Sequence, residues 1–536
     1  MTDPVGGADA SNAPGVARPH WMALTVLCIA VLIVNVDNTI LNVALPTLVR
    51  RLGATTDELQ WIVDAYAMAF GGLLLVGGSL ADRFGRKRFF VLGLAVFGGG
   101  SLGAAFSGSV GPLIAWRAVM GAGAAMTIPS GLSIVNDLFR AARARARAIG
   151  IWSGTIGLGI AIGPVAGGLL LSRFWWGSVF FVNVPVVVLG IVGTLVFVPE
   201  SRSSSPNRPD PAGSVLSIVG LGLVLWAIIE GPTRGWASGQ VLGVGVAGLV
   251  ILAGFVAWER AIDHPMLPLG FFGSRRFSVA IVSVGLGLFA LFGGLFIMTQ
   301  FLQFFLGYTP LGAGLRILPI AGILACGALV SPWGVRMIGT KLIAATGLLA
   351  IVGGLAQIAV VSTGSATYPN ELPGMLLVGL GAGLLVPAAI DSVLGAVTQA
   401  DAGVGSAANS TAMQIGGAIG VAVIGSVLST GYRGAMQQAI AGWPLPAAAA
   451  HSILGSIGGA LGVAPVVARL VGPAYGAELT RAALDAFATG SRTALIVGAS
   501  VTGAGVLVAL AALPSRPADK ARVPIAPGEA EDPGVG

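Results

Sequence analysis

Charged residues are scarce in this sequence. Only 10% of its 536 residues are Asp, Glu, Lys or Arg, whereas a soluble domain typically carries about 25%. Too few charges remain to solvate a globular surface, which excludes a soluble enzyme. The hydrophobic share is 55% and the mean hydropathy is +0.89. This composition indicates a polytopic α-helical membrane protein.

Residues that bind metals or form disulfides are equally few. The two cysteines, Cys28 and Cys326, both lie in apolar stretches, and the three histidines are dispersed. This pattern predicts neither a disulfide framework nor a metal site. The net charge is +7, but no basic run is interleaved with aromatic residues, so we expect no nucleic-acid partner. No nucleotide-binding motif occurs, and we expect no cofactor.

Long apolar runs recur along the whole chain. Each run is close to the roughly 20 residues that a spanning helix needs. The first run is too long for the core of a signal peptide and lacks a clean cleavage site. The sequence therefore predicts fourteen spanning helices, approximately at 21–46, 60–81, 89–107, 111–133, 148–171, 178–198, 213–230, 241–258, 278–306, 314–335, 342–362, 373–395, 404–429 and 492–513.

Lys and Arg between the predicted spans are distributed unevenly. Nineteen lie on the side that carries both termini, and eight lie on the other side if Arg492, at the first position of the last predicted span, is included; Arg117 and Arg316 fall within helices. Cytoplasmic loops of membrane proteins carry an excess of these residues. Both termini are therefore predicted to be cytoplasmic.

The segment from Gly78 to Arg88 joins the second and third predicted helices on that inner side. Gly85 permits a tight turn, and Asp82 lies one helical turn before Arg86. Asp82 also ends its helix, where the helix dipole disfavours a carboxylate, so it needs a cation or a helix N-terminus as a partner. The alternative is a simple topology signal. The loop residues we single out are Gly78, Asp82, Arg83, Gly85 and Arg86.

Two further strings are rich in glycine. Residues 113–125 include Arg117 in the fourth helix. The fifth helix carries Gly159 and Gly163 one turn apart, which gives a flat face for close helix packing. A bend or hinge would follow at Pro164, Gly167 and Gly168. Such a helix can equally serve packing alone.

These strings resemble the signature motifs of the major facilitator superfamily, the fifth-helix string being typical of its antiporters. Residues 37–46, 61–66, 183–185 and 307–310 look like the fourteen-helix drug:proton antiporter branch. Met120 departs from the fourth-helix motif, where Gln is usual. The resemblance implies two six-helix bundles with two extra helices between them, and protons as the coupling ion.

The predicted organisation has five parts. They are a disordered cytoplasmic tail (1–20), a first bundle (21–199), a linker with two extra spanning helices (200–277), a second bundle with a long outer loop at 430–491 (278–513), and a disordered tail (514–536). We expect the outer loop to pack on the membrane surface or to hold short helices, and the chain to act as a monomer.

Ionisable residues within a bilayer are costly unless they face a cavity or a partner. Asp37 lies roughly 13 Å from the outer end of the first helix and Asp64 about 7 Å from that of the second, at 1.5 Å per residue. We predict that Asp37 takes up and releases the coupling proton and that Arg117 modulates this exchange. The alternative is that Asp37 and Arg117 form a structural ion pair. Asp64 is expected to attract substrate or carry a proton, its shallow position keeping it hydrated, unless it is merely an interfacial carboxylate.

Candidate cavity residues are polar or aromatic. On the first helix Asn38 and Asn42 share a polar stripe with Asn35, and the ninth helix carries Gln300 and Gln303. An apolar cavity with few charges suits small lipophilic or cationic substrates. The sequence therefore predicts a proton-coupled drug exporter in the bilayer rather than an enzyme. Export of an endogenous lipid or metabolite, and a non-transporting sensor or membrane enzyme, remain as alternatives.

Overall fold

The structure is a computed structural model. The part of the chain that it describes comprises residues 18–139, 141–202, 209–263, 265, 267, 269–362, 366–398 and 402–514. Of the predicted tails at 1–20 and 514–536, residues 1–17 and 515–536 lie outside the described part, whereas residues 18–20 belong to the first helix. Within the described part the chain is helical and contains no strand.

Seventeen α-helices account for almost all of the described residues. They are α1 (Arg18–Leu52), α2 (Thr56–Phe84), α3 (Arg86–Ala105), α4 (Val110–Leu138), α5 (Ala142–Arg173), α6 (Ser178–Phe181), α7 (Asn183–Phe197), α8 (Pro211–Arg234), α9 (Gly239–Ala261), α10 (Arg275–Gln300), α11 (Pro310–Ile338), α12 (Thr340–Val361), α13 (Tyr368–Leu394), α14 (Ala402–Ala439), α15 (Ala447–Gly455), α16 (Ile457–Leu470) and α17 (Pro473–Ala512).

Fourteen stretches of this part of the chain are long and apolar enough to cross a membrane, as the sequence predicts. Helices α6 and α7 together form the sixth, and α10 continues through a π-helical turn at Phe301–Phe305. The short helices α15 and α16 lie between the last two spans. An even number of spans places the start of α1 and the end of α17 on one side, here called the terminal face. The other side is called the opposite face.

Local sequence signals set several of these helix ends. At the start of α2, Thr55 and Glu58 form a capping box: the Thr55 hydroxyl accepts from the Glu58 amide, and the Thr55 amide donates to Glu58 Oε2 at 2.9 Å. Between α2 and α3 the whole connection is Gly85, whose φ of 118° is strained for any residue with a Cβ. Asp210 caps α8, and Pro211 occupies its first turn.

The helices pack as two bundles with a pair between them. Helices α1–α7 form the first bundle, α10–α14 and α17 form the second, and α8 pairs with α9. Large aromatic side chains fill each bundle, for example Phe97 and Phe180 in the first and Phe277 and Phe296 in the second, all fully buried. Small residues bring the backbones together: a Cβ on Gly123 of α4 would lie 2.5 Å from the Phe97 nitrogen of α3.

The two bundles meet along two lateral seams, α2 with α14 and α5 with α11. Helix α8 covers the first seam and contacts both partners. Its Ile218 lies against Gly72 of α2, and its Ile228 carbonyl accepts a 2.7 Å hydrogen bond from Ser426 Oγ of α14. Helix α9 packs mainly on α8 and leaves most of its surface exposed. The α8–α9 pair is therefore attached to the bundles through α8.

Candidate functional site

A cavity of about 500 Å³ lies between the two bundles. Its walls come from α1, α2, α4 and α5 on one side and from α10, α11, α13 and α14 on the other. It extends from the middle of the helices to Leu394 and Ser406, at the terminal-face ends of α13 and α14. None of the described residues that line it is charged.

The amide side chains that line the cavity come from two helices. Asn35, Asn38 and Asn42 line it from α1, and Asn409 and Gln414 line it from α14. The Oδ1 atom of Asn409 is buried and has no hydrogen-bond partner within the described residues. Leucine, isoleucine, valine and aromatic side chains form most of the remaining wall. The cavity thus offers amide groups on two facing sides of an apolar chamber.

A fully buried ion pair lies inside the first bundle, behind the cavity wall. Arg117 Nη1 of α4 is 2.6 Å from Asp37 Oδ2 of α1, and both side chains have 0% exposure. Asn183 Nδ2 donates to Asp37 Oδ1 at 2.7 Å and lies 3.1 Å from Ser101 Oγ. The Arg117 Nε atom donates to the Ile62 carbonyl at 3.1 Å. Asp37 therefore has a partner on each oxygen, although it does not line the cavity.

Tyr66 contacts both the ion pair and the cavity. Its ring lies 4.4 Å from the Arg117 guanidinium carbon, in cation–π geometry, and the same residue lines the chamber. A change at Asp37 can therefore reach the cavity wall through Arg117 and Tyr66. The sequence does not predict that Asn183 and Tyr66 contact the ion pair, because there they stand out only as members of the segments 183–185 and 61–66.

Asp64 of α2 differs from the sequence expectation. Its side chain has 0% exposure, and neither carboxyl oxygen has a hydrogen-bond partner within the described residues. It is not among the residues that line the cavity. The expectation that a shallow position keeps it hydrated is wrong, because neighbouring helices cover it at that depth. An ionised carboxylate in such surroundings is costly.

The two glutamines predicted to line the cavity lie outside it. Gln300 is buried in α10 and donates to the Phe296 carbonyl of its own helix at 3.1 Å. Gln303 lies in the π-helical turn and joins the bundles: its Nε2 donates to the Val43 carbonyl at 2.9 Å, and its Oε1 accepts from Arg50 Nη2 at 3.2 Å. Gln303 therefore closes the opposite face instead of facing the cavity.

Further contacts seal the opposite face around Gln303. The Arg50 guanidinium lies 5.3 Å from the Phe304 ring. Gln60 of α2 donates to the Val421 and Ala422 carbonyls of α14 at 3.0 and 2.9 Å. These contacts join the first bundle to the second at the opposite face, while the cavity reaches the terminal face.

The loop at the terminal face makes its ion pairs within the first bundle. Arg86 Nε is 2.7 Å from Asp82 Oδ1, and Arg86 also pairs with Asp137 of α4. Glu200 accepts from the Lys87 amide at 3.1 Å and lies beside Gly85. Arg83 is exposed, and Gly78 packs against Pro129 of α4. Asp82 has Arg86 as its partner, one of those expected from the sequence.

The glycines of α5 serve two different neighbours. Gly159, Gly163 and Gly167 lie against α1, and Thr39 Oγ1 donates to the Gly159 carbonyl at 3.1 Å. Gly168 lies against α11 of the second bundle, where a Cβ would be 2.5 Å from Leu311 Cα. The Pro164 carbonyl likewise abuts Gly314 of α11. The string therefore packs the first bundle and also forms one of the two seams.

No group of three or more His, Cys, Asp or Glu side chains in the described ranges could hold a metal ion.

Residues 27–421 match the family model described as Major Facilitator Superfamily. The chain belongs to this superfamily. The two bundles and the cavity between them therefore form the fold of a facilitator-superfamily transporter. The fourteen spans match the architecture expected from the sequence.

Curated relatives of this transporter are resistance and efflux proteins. It is 32% identical to the multidrug efflux pump LfrA of Mycolicibacterium smegmatis, over 92% of this chain and 96% of that protein. It is 34% identical to the puromycin resistance protein pur8 of Streptomyces alboniger, over 77% and 82% of the two chains. Among solved structures, a bacterial homolog of the human lysosomal transporter Spinster matches with a TM-score of 0.64 at 15% identity, covering 92% of this chain and 97% of that one.

The contrast between Asp37 and Asp64 gives a prediction for stability. Replacing Arg117→Met leaves Asp37 buried without its cation, which should destabilise the protein by about 3–5 kcal/mol. Asp64→Asn removes a carboxylate that has no partner and should leave the melting temperature unchanged or raise it. Thermal unfolding of the two purified variants in detergent measures both effects. Equal destabilisation by the two changes would contradict this interpretation.

Closure at the opposite face gives a second prediction. Gln303→Leu removes two hydrogen bonds between the bundles, each worth about 1 kcal/mol, and should increase the population open at that face about thirtyfold. Gln300→Leu is the matched control, since Gln300 bonds within its own helix. Spin labels on the exposed residues Ser109 and Gln437 report the separation of the bundle ends. A wild-type distance distribution in Gln303→Leu would mean that this residue does not hold the face closed.

Proposed function

We propose that this protein is a proton-coupled antiporter that exports lipophilic or cationic toxic compounds, drugs among them, across the bacterial cytoplasmic membrane by alternating access. The observation that carries the proposal is the position of the buried Asp37–Arg117 pair, separated from an uncharged cavity by Tyr66. The uncharged cavity suits the substrate, the buried Asp37–Arg117 pair suits the proton, and the Tyr66 side chain contacts both.

Protonation of Asp37 would change the forces on Arg117. A neutral carboxyl group attracts the guanidinium less than a carboxylate does, and Arg117 Nη2 already has no hydrogen-bond partner within the described residues. Within the described residues, the other contacts of Arg117 are the Ile62 carbonyl and the Tyr66 ring, both on α2, and Met120 Sδ of its own helix at 3.9 Å. A proton at Asp37 would therefore loosen α1 from α4 and leave Arg117 held by α2. Such a rearrangement can couple the proton to the cavity wall.

The chemistry of the cavity supports the substrate class. The aromatic rings of Tyr66, Phe70 and Phe292 can hold a cation by its attraction to their faces. Amide groups on α1 and α14 can bond a polar group of the substrate. The efflux and resistance functions named for the relatives favour toxic compounds over an endogenous lipid.

The distribution of Lys and Arg supports an orientation with the terminal face in the cytoplasm. By the spans predicted from the sequence, 19 Lys and Arg residues fall on the side of the two termini and eight on the other side. With the terminal face in the cytoplasm, the described form has its cavity extending toward the cell interior, from which an exporter collects its substrate. The cavity lies wholly within one chain, which supports a monomer as the functional unit.

Transport by purified protein tests this proposal. In proteoliposomes with an acidic lumen, the wild type should accumulate ethidium, a lipophilic cation, and should lose this accumulation when the gradient is collapsed. Asp37→Asn should abolish the accumulation while ethidium binding, followed by fluorescence, persists, because Asp37 lies outside the cavity. Asp263→Asn, at an exposed carboxylate just after α9, serves as the control. Accumulation at the wild-type rate by Asp37→Asn would refute the assignment of the proton site.

The unpartnered amide oxygen of Asn409 predicts selectivity within one substrate class. Ethidium carries aromatic amines that can donate to this oxygen, whereas tetraphenylphosphonium has no hydrogen-bond donor. Asn409→Leu should raise the KM for ethidium about tenfold, the value of one hydrogen bond of about 1.4 kcal/mol, and change that for tetraphenylphosphonium little. Ile390→Val, an apolar change in the same cavity wall, is the control. An equal effect on both cations would show that Asn409 only shapes the cavity.

A further inference from the structure

The segment between the last two spans carries the helix pair α15–α16, which lies across the opposite-face ends of both bundles. The two helices are separated at Ser456, whose backbone is extended with φ −168° and whose hydroxyl caps α16 by accepting from the Gly459 amide at 3.1 Å. Their inner side is buried: Ile453 and Ala460 have 0% exposure. The pair is therefore a packed element.

The contacts of α15–α16 with the second bundle are extensive. The Tyr432 hydroxyl of α14 lies 3.0 Å from the Ile453 carbonyl and 3.1 Å from the Ser456 carbonyl. Helix α16 packs along α17, where Gly476 lies against Ala464 and Ala468. The chain enters α15 from α14 and leaves α16 into α17, and both belong to the second bundle. Covalent connection and packing thus attach the pair to that bundle.

The contacts with the first bundle are few and lie at the ends of α1 and α2. Thr56 Oγ1 donates to the Gly455 carbonyl at 3.1 Å. A Cβ on Gly458 would lie 2.5 Å both from Val49 Cγ1 of α1 and from Phe304 Cζ at the end of the ninth span. Gly458 therefore lies between the two bundles, directly above the Arg50–Gln303 contacts that join them.

We propose that α15–α16 is a lid over the exit of the transport path, which moves with the second bundle and leaves α1 and α2 each time the opposite face opens. This inference rests on the proposed alternating access. When the bundles separate at that face, Val49 and Phe304 move apart and Gly458 can remain beside only one of them. The tethers to α14 and α17 keep it beside Phe304, so the Val49–Gly458 and Thr56–Gly455 contacts are the ones that break.

A reversible cross-link tests whether this release is required. In a chain whose own cysteines are replaced by alanine, the pair Val49→Cys and Gly458→Cys should form a disulfide that ties the lid to the first bundle. Oxidation should lower gradient-driven ethidium accumulation at least tenfold, and reduction should restore it. The matched control, Ala468→Cys with Gly476→Cys, ties the lid to its own bundle and should transport equally in both states. Transport by the oxidised, cross-linked Val49–Gly458 pair at the reduced rate would overturn the proposal.

Distances between exposed labels provide a second measurement that needs no transport. Residues Ala448 on the lid, Ser109 on the first bundle and Gln437 on the second are all exposed. Under acidification with tetraphenylphosphonium, a longer Ser109–Gln437 distance should be accompanied by a longer Ala448–Ser109 distance and an unchanged Ala448–Gln437 distance. A longer Ser109–Gln437 distance with Ala448–Ser109 unchanged would overturn the lid. If the wild type does not accumulate ethidium, the proposed function fails, and these distances still decide the movement of the lid.

Discussion

The ion pair between Asp37 and Arg117 is the interaction on which the first bundle depends. Two opposite charges with 0% exposure are 2.6 Å apart, and burial of either alone would cost several kcal/mol. The pair therefore requires α1 and α4 to stay in register, and Asn183 extends that requirement to α7. An interaction that is stable only while both charges exist is also the one that a single proton can weaken most.

The buried charges and the substrate cavity occupy different places in the fold. The charges lie inside one bundle, the cavity between the bundles is uncharged, and Tyr66 contacts both. A cavity without fixed charges does not favour one arrangement of charge in its substrate, which is consistent with the proposed export of compounds of different shape. Closure at the opposite face depends on uncharged hydrogen bonds, such as that from Gln303 to Val43, together with the single cation Arg50. Such contacts can break and reform at moderate cost during each cycle.

The sequence predicts the spans and the Asp37–Arg117 pair because each can be recognised within single helices. Apolar runs recur at regular length, and a rare charge inside such a run needs a partner of opposite sign. It misplaces Gln303 and the hydration of Asp64, because depth along a helix does not say which neighbour covers the side chain. Asn183 lies 146 positions from Asp37, and no local pattern indicates that contact. The position of α15–α16 likewise follows from Tyr432, Thr56 and Phe304, whose proximity exists only in the folded chain.

Helix α8 makes the two seams between the bundles mechanically unequal. It packs on α2 and on α14 at once, through Ile218 and Ile228, whereas the described contacts of the α5–α11 seam are close approaches of Pro164 and Gly168 to glycine and backbone. Separating the bundles along α8 exposes additional apolar surface and breaks an additional hydrogen bond, which the other seam does not require. We therefore expect the bundles to separate less along the α8 side than along the α5–α11 side, so that the α8 side acts as the hinge.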